Sequence, residues 1–395
     1  MEYLIPYFFE WLNLLLRWLH LIVGIAWIGA SFYFVWLDNS LIPPKDPKLS
    51  QAGVSGELWA VHGGGFYNPQ KYLNTPPTLP ENLHWFYWEA YSTWITGFLL
   101  FTVAYLFNPT VMLVDKQIFD MSGHLAIALA LVYLVAGWVV YDIICRFFGV
   151  GDAADKKVAI CLVFYVTLAS IIACHLFAGR AAFLLTGAML ATIMAANVFF
   201  WVIPGQKTVI KTMRAGGSPD PVHGQRGKQR SVHNTFFTLP VLFAMLSNHY
   251  SMVYNAPNNW LVLILIMAAG AIIRFFFVAR HKNKNNYLIL VVGIIFLLIP
   301  IFLIAPPPPQ KSLSDHIPPN FSEVSLVIQN RCVVCHNENV ANKNIRLDSP
   351  QAIQSQMNLI YQQAVVTKQM PINNATGITD DERLILKRWF NTNNP

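Results

Sequence analysis

The stretch Cys332-Val333-Val334-Cys335-His336 decides how the C-terminal part of this 395-residue chain folds. Two cysteines separated by two residues and followed at once by histidine form the attachment signature of a c-type haem. The cysteines bond covalently to the porphyrin edge, and the adjacent imidazole ligates the iron. A zinc site would need four ligands, and no Cys or His follows His336, whereas a thioredoxin-like pair would need a βαβ context. The pattern therefore predicts covalently bound haem c.

The segment after the haem motif contains two methionines that could supply the sixth iron ligand, Met357 in a helix-like run and Met370 before a proline. From about 321 to 390 this segment resembles a small class I cytochrome c, with a helix before the haem motif, a Met-Pro loop and a closing helix. That resemblance implies Met370, because a thioether trans to histidine raises the reduction potential of such cytochromes. A methionine that only fills core space is the alternative. We expect Thr379 to cap the closing helix, with Glu382 completing a capping box.

The composition of the whole chain is that of a membrane protein. Hydrophobic residues make up 55% of it and charged residues 12%, and the mean hydropathy is positive. A bilayer core about 30 Å thick takes about 20 residues of helix, and eight apolar stretches meet or approach that length. They lie near residues 11–36, 85–107, 121–144, 158–178, 181–204, 234–250, 259–280 and 287–305. Pro240 interrupts the sixth. The predicted fold class is all-α, a polytopic bundle of eight transmembrane helices with a small C-terminal class I cytochrome c domain.

The chain divides into a membrane domain over 1–305, a proline-rich linker over 306–320 and a cytochrome c domain over 321–395. An even number of spans places both termini on one side of the membrane. Alternate loops carry most of the Lys and Arg, and the loops of the other side hold only Lys116 and Arg180. By the positive-inside rule the N terminus and the haem domain are periplasmic, in a bacterial inner membrane. The net charge of +7 then faces anionic lipid, and no nucleic-acid partner is expected.

Four histidines lie in the half of the membrane that is predicted to face the haem domain. They are His20, His124, His175 and His249. Two imidazoles from facing helices can ligate a haem in a bundle core, so His124 and His175 could hold a second haem, of b type. A histidine inside a span is otherwise a hydrogen-bonded core residue, and the sequence leaves both interpretations open.

Polar groups also gather at the opposite, cytoplasmic face. A long loop over 37–83 contains His62 beside three glycines, and the aromatic-rich stretch 84–94 begins with His84. Glu89 lies inside the second span, where a carboxylate needs a partner. Further ionisable or amide residues at this face are Asp142, Asn197, His233 and Arg274. Glu89 could therefore pair with Arg274 or a histidine as a purely structural group, or it could be catalytic.

Several motifs of the N-terminal part, taken together, resemble one known family, the bacterial membrane-bound urate hydroxylases. The motifs are Trp18-Leu-His20, Trp27-Ile-Gly-Ala-Ser-Phe-Tyr33, Val61-His-Gly-Gly-Gly-Phe-Tyr67, His84-Trp85 and Trp88-Glu-Ala-Tyr91. That family joins an eight-span urate oxidase domain to a C-terminal cytochrome c. The resemblance implies oxidation of urate to 5-hydroxyisourate, with electrons passed through the haem to a respiratory-chain acceptor, a cytochrome or a terminal oxidase. The identity of the substrate rests on this resemblance alone.

A site for urate, a planar anion, should combine stacking aromatics, cationic or amide donors and a group that accepts a proton. The stretch 84–94, with His62 and its glycine loop folded against it, offers these residue types at one face. We therefore predict Glu89, His84 and His62 as catalytic residues, with Glu89 as the proton acceptor or its orienting partner.

Two other functions fit parts of the sequence. The membrane domain could be an electron-transfer and anchoring module that serves another enzyme. A transporter with a regulatory haem would favour helices broken at the middle of the membrane, for which only Pro240 is a sign.

Overall fold

The computed structural model describes residues 4–72, 76, 78–151, 153–281, 284–305 and 319–393, most of them helical. The helices of the first 305 residues are α1 (Leu4–Ser40), α2 (Pro47–Gln51), α3 (Trp88–Phe101), α4 (Pro109–Met112), α5 (Gly123–Phe148), α6 (Ala154–Leu176), α7 (Gly179–Asn197), α8 (Ile203–Arg214), α9 (Pro221–Leu246), α10 (Ser251–Tyr254), α11 (Asn259–His281) and α12 (Tyr287–Leu303). A π-helical turn, Thr102–Leu106, extends α3, and another, Val198–Val202, joins α7 to α8.

Each of the eight predicted spans falls on a helix of this part of the chain. Five helical segments are long and apolar enough to cross a membrane: Tyr7–Ser40, Gly123–Phe148, Ala154–Leu176, Gly179–Arg214 and Asn259–His281. The apolar helix α12 is shorter, α3 has 14 residues before its π-helical turn, and α9 starts in the basic segment before its predicted span. The structure is thus a mostly helical assembly with several apolar helices, and the number of eight spans stays a prediction.

Pro240 does not interrupt the sixth predicted span. Helix α9 continues through this proline to Leu246. Gly270 of α11 faces the same place, where an added Cβ would lie 3.1 Å from Leu239 and 3.4 Å from Pro240. The missing side chain lets the backbone of α11 approach the proline ring closely.

Helix α7 forms the centre of the bundle, and α1 lies at its edge. Small residues let α7 approach its neighbours closely, because a Cβ on Gly187 would collide with Ala244 of α9 and a Cβ on Gly137 of α5 would collide with Met189. The only buried residue among the described side chains of α1 is Leu37. Helix α1 packs mainly against α3 and contacts α11 through Phe32, and its described apolar side chains other than Leu37 are exposed or half-buried.

The bundle has two ends that differ in what surrounds them. We call the end at Gly123, Gly179 and Leu246 the outer end, and the end at Phe148 and Asn197 the inner end. The 19 residues of α7 separate them by about 29 Å at 1.5 Å per residue. The outer end corresponds to the predicted periplasmic side, and the inner end to the predicted cytoplasmic side.

The long loop after α1 adds short strands to the mostly helical structure. It contains four short strands, β1 (Val54–Glu57), β2 (Ala60–His62), β3 (Gly65–Tyr67) and β4 (Gln70–Tyr72), which form two antiparallel pairs, β1 with β4 and β2 with β3. Gly63 and Gly64 make the turn between β2 and β3 with φ values of +57° and +80°. Two consecutive residues with positive φ produce the tight hairpin turn that glycine pairs favour. The glycine pair was the local sequence signal for this hairpin in the predicted loop.

The C-terminal part is a small helical unit with a core of its own. Its helices are α13 (Phe321–Arg331), α14 (Pro350–Ser355), α15 (Met357–Ile360) and α16 (Asp380–Asn393), with a π-helical turn at Tyr361–Val366. The backbone N–H of Glu382 donates to Thr379 Oγ1 at 3.2 Å, and that of Thr379 donates to the Glu382 carboxylate at 2.8 Å. The predicted capping box is therefore confirmed. The predicted linker, apart from its last two residues, lies outside the described residues.

The C-terminal unit packs against the outer end of the bundle. The side-chain amide of Asn373 donates to the carbonyl oxygens of Val111 and Met112 at 2.8 and 3.0 Å. The hydroxyl of Ser251 donates to the Thr367 carbonyl oxygen at 2.7 Å. These contacts bring the 367–374 loop, which contains Met370, directly onto the bundle.

Candidate functional site

The predicted haem motif forms a tight turn at the end of α13. The backbone N–H groups of Cys335 and His336 each lie 3.1 Å from the Cys332 carbonyl oxygen, so the two thiols and the imidazole project from one turn. Nδ1 of His336 lies 3.2 Å from the Ile345 carbonyl oxygen. A carbonyl only accepts, so Nδ1 carries the proton and Nε2 keeps the lone pair that an iron atom would need.

The thiols and the imidazole fit a covalently attached haem. Cys332 and Cys335 form no disulfide, and burial raises the pKa of the Cys332 thiol to about 11, so it is protonated at neutral pH. The described residues contain no cluster of three or more His, Cys, Asp or Glu that could hold a metal ion. A haem iron needs only one imidazole and one thioether from this chain, and haem c stays a prediction that these residues can satisfy.

The two candidate sulfur ligands differ in their surroundings. Met357 packs against the hydrophobic core of the C-terminal unit, which does not include Met370. Met370 lies on the loop that the Arg383 guanidinium holds, since Nη1 of Arg383 donates to the Met370 carbonyl oxygen at 3.0 Å and also to that of Ala364. This difference favours Met370 as the ligand, because its thioether is not committed to the core.

A cavity of about 220 Å³ lies between the Met370 loop and the outer end of the bundle. Its lining residues are Arg180, Asn248, His249, Tyr254, Asn255, Gln369, Met370, Ile372 and Asn373. Arg180 Nε donates to Asn248 Oδ1 at 3.2 Å, and the Tyr105 hydroxyl donates to the same oxygen at 2.8 Å. The predicted membrane residue His249 is exposed and borders this cavity.

The other three predicted membrane histidines do not meet inside the bundle. Nδ1 of His20 lies 3.1 Å from both the Thr93 carbonyl oxygen and Thr96 Oγ1, as expected for a hydrogen-bonded residue between α1 and α3. His124 and His175 are exposed, and Nδ1 of His175 contacts the carbonyl oxygen of Ile171 in its own helix at 2.8 Å. Exposed imidazoles on α5 and α6 do not fit a haem enclosed between helices.

Glu89 lies in the first turn of α3 without the structural partner considered for it. Its Oε2 is buried and has no hydrogen-bond partner among the described residues. Arg274 lies instead over the ring of Phe32, with its Cζ 3.9 Å from the ring centroid. Nε and Nη2 of Arg274 are likewise buried and have no partner within the described part of the chain. No ion pair joins these two described side chains.

His84 and His62 do not contact Glu89. His84 is exposed and meets the ring of Phe86 edge-on, at 4.6 Å between centroids. His62 is exposed at the tip of the β2–β3 hairpin. Within the described ranges no hydrogen bond or ring contact joins either imidazole to Glu89, so the structure does not assemble the predicted trio by direct contact.

A buried polar network that sequence reasoning did not assemble occupies the inner end. The carboxylate of Asp142, which is 4% exposed, accepts from Arg146 Nε at 2.6 Å, Arg230 Nη2 at 2.9 Å and Trp201 Nε1 at 2.7 Å. Arg230 is 3% exposed, and its guanidinium also lies over the ring of Tyr141, 5.0 Å from the centroid. Three donors from three segments compensate the cost of burying this carboxylate.

A second layer of the same network contains the imidazole of His233. Nδ1 of His233 lies 2.8 Å from the Tyr141 hydroxyl, which accepts from the amide of Asn197 at 2.9 Å. That amide also donates to Asn234 Oδ1 at 3.0 Å. Residues 230, 233 and 234 share one face of α9 by their i, i+3 and i+4 spacing. That spacing was the available signal for the network, whereas the part played by Trp201 depends on the π-helical turn and was not predictable.

The inner-end network and the Glu89 region meet at the π-helical turn Val198–Val202. The ring of Phe199 in this turn meets the ring of Tyr91, two residues after Glu89, at 5.4 Å between centroids. Trp201 of the same turn binds Asp142. The predicted proton acceptor and the buried network therefore flank one short segment at the same end of the bundle.

Comparison with known proteins identifies one family. A family model described as urate oxidase N-terminal matches residues 6–305, from α1 to the end of the apolar helices, and it ends before the haem motif. No curated protein and no solved structure matches the chain.

Proposed function

The chain belongs to the urate oxidase N-terminal family, and from that premise we propose that it is a bacterial membrane-bound urate hydroxylase. It oxidises urate to 5-hydroxyisourate in the helical bundle, and the electrons leave through haem c in the C-terminal unit to a respiratory-chain acceptor. The single observation that carries the proposal is the family match, because it spans the whole bundle. The N terminus and the haem unit face the periplasm in this proposal.

The overall reaction balances with water as the oxygen donor. Urate and water give 5-hydroxyisourate, two electrons and two protons when oxygen is not the acceptor. Haem c, when bound, accepts one electron at a time, so each urate requires two transfers. The chain itself must bind the substrate, accept protons and bring its two parts into contact.

The C-terminal unit supplies the groups for the electron exit. His336 presents Nε2 because Nδ1 is bound to the Ile345 carbonyl, and Arg383 positions the Met370 loop. That loop contacts the outer end of the bundle through Asn373. The docked arrangement lets electrons pass from the bundle to the haem unit within one chain.

Proton transfer is assigned to the inner end. Glu89 is proposed as the acceptor, supported by its buried, unpartnered oxygen among the described residues. A group that accepts a proton in the transition state accelerates such a reaction by about 10² to 10⁴. His84 and His62 stay predictions for this role, since neither contacts Glu89.

The proposal is tested with oxidised, full-length protein mixed with urate in the absence of oxygen. We expect the visible spectrum to change to that of reduced haem c. The variant Cys332→Ser/Cys335→Ser, which cannot attach haem covalently, should give no such change, and neither should xanthine with the wild-type protein. A wild-type haem that dithionite reduces but urate does not would contradict the proposal and favour a module that serves another enzyme.

A further inference from the structure

A cavity of about 250 Å³ opens at the inner end beside the buried network. Its lining residues are Cys145, Arg146, Gly149, Val150, Trp201, Arg226, Gln229 and Arg230. Among the described residues, the acidic groups bound to this wall are Asp142, which Arg146 and Arg230 share, and the exposed Asp155, which accepts from Gln229 at 2.9 Å. Among the described side chains, three guanidinium groups thus accompany two carboxylates, and this excess of positive charge suits an anion.

The buried Arg230 guanidinium uses only one of its two terminal nitrogens for a hydrogen bond within the described part of the chain. Nη2 of Arg230 is bound to Asp142, whereas its Nη1 is buried and has no hydrogen-bond partner among the described residues. The guanidinium is fixed by the carboxylate and by the ring of Trp201, whose centroid lies 4.8 Å from its Cζ. An unsatisfied buried donor is costly, and a ligand oxygen in the cavity would satisfy it. A guanidinium already held in place loses little entropy when it binds.

Two more groups of the cavity wall add directional contacts. The Cζ of Arg226 lies 5.9 Å from the centroid of Trp201 on the side of the cavity, and Arg226 forms no ion pair within the described part of the chain. The amide nitrogen of Gln229 donates to Asp155 and to the Gly149 carbonyl oxygen, which leaves its oxygen as an acceptor. The cavity wall thus offers guanidinium N–H donors, which complement carbonyl oxygens of a ligand, and an amide oxygen, which complements a ring N–H group.

We propose that this cavity binds the planar monoanion of an oxopurine, with Arg226 and Arg230 contacting its oxygens and Gln229 accepting from a ring N–H. The inference rests on the proposed function, since it assigns a binding site to the substrate of that reaction. A phosphate or an anionic lipid headgroup shares the negative charge but has no ring N–H for the Gln229 oxygen to accept from.

The test measures binding without turnover. Full-length protein in phosphatidylcholine nanodiscs is fully reduced with dithionite under argon, so that the haem cannot accept electrons. Equilibrium dialysis against radiolabelled urate then measures the Kd. Arg226→Gln should weaken binding at least about tenfold, as expected for the loss of one charge-assisted hydrogen bond. Lys228→Gln, which removes the same charge from an exposed position of the same helix, should change the Kd less than about twofold.

Equal binding by wild type, Arg226→Gln and Lys228→Gln would overturn the inference. If urate still reduced the haem in that case, the proposed function would stand and the substrate would bind elsewhere. Inorganic phosphate and phosphatidylglycerol are added as competitors, and we expect neither to displace urate. Displacement by the lipid would assign the cavity to a headgroup and would also overturn the inference.

Discussion

The inner and outer ends of the bundle use their polar groups in opposite ways. At the inner end Asp142 and Arg230 are almost fully buried and bind groups of the bundle itself. At the outer end Arg180 and Asn248 border a cavity, and the C-terminal unit lies on its other side. The inner end consists of the bundle alone, whereas at the outer end the C-terminal unit packs onto the bundle.

Under the proposed function, this difference assigns substrate binding to the inner end and electron transfer to the outer end. A charge network buried within one rigid bundle can hold a substrate in a fixed orientation, because its groups need not reorganise. An interface between two units suits a step that needs only proximity, such as electron transfer. The two ends are about 29 Å apart along α7.

The largest expected effect is that of Glu89→Gln at the inner end. The variant keeps the shape of the side chain but cannot take up a proton, so urate-driven reduction of haem c should slow at least about a hundredfold. Stopped-flow absorbance without oxygen measures this rate. Glu81→Gln, an exposed change shortly before α3, is the matched control and should react at the wild-type rate. Near-normal reduction in folded Glu89→Gln would assign Glu89 a structural role.

The second effect belongs to the outer end alone. Met370→Ala should leave haem c attached but remove its sulfur ligand. The loss lowers the reduction potential of the haem and therefore slows electron transfer from the bundle to the haem several-fold or more. Urate binding should not change. Redox titration measures the potential. Met357→Ala is the matched control, because it removes a core methionine and should reduce stability without changing the potential. The opposite result would make Met357 the ligand.

A smaller effect is expected when the contact between the two units is loosened. Asn373→Ala removes two hydrogen bonds to the outer end, each worth about 1 kcal/mol. Electron transfer from the bundle to the haem should slow by a few fold, while the potential stays at the wild-type value. Asn358→Ala, an exposed change in the same unit, controls for the loss of an amide. A changed potential in Asn373→Ala would show that the loop, rather than docking, was affected.

The smallest effect is expected at the exposed membrane histidines. His124→Ala and His175→Ala should each leave the haem content and the rate of urate-driven reduction unchanged, since neither imidazole is buried between helices. A pyridine haemochrome assay counts c-type and b-type haem in each variant. Loss of a b-type signal in either variant would place a second haem on these residues and would change the account of the outer half.

The sequence was informative where a local pattern determines the structure. The capping box at Thr379 and Glu382 follows from two residues on one helical turn, and apolar length located the helices. The hairpin at Gly63 and Gly64 also had a local signal, but the prediction described this segment only as a long loop.

The inner-end network was only partly accessible to sequence reasoning. Asp142, Asn197 and His233 could be assigned to one face of the membrane, because the positions of the spans fix their depth. The contacts of Asp142 with Trp201 and Arg230 depend on the rotation and packing of three helical segments, which no single-helix pattern specifies. The predicted trio failed to meet for the same reason, since His62 lies on a hairpin whose direction the sequence does not encode locally.

The most direct test of the account follows the oxygen atom and the electrons in one anaerobic experiment. Oxidised full-length protein is mixed with limiting urate in ¹⁸O-labelled water, and mass spectrometry of the product is combined with the visible spectrum. The account predicts 5-hydroxyisourate that carries one ¹⁸O atom and two equivalents of reduced haem c for each urate consumed. Urate that is consumed only after oxygen is admitted, with label taken from O₂ and no reduced haem, would contradict it.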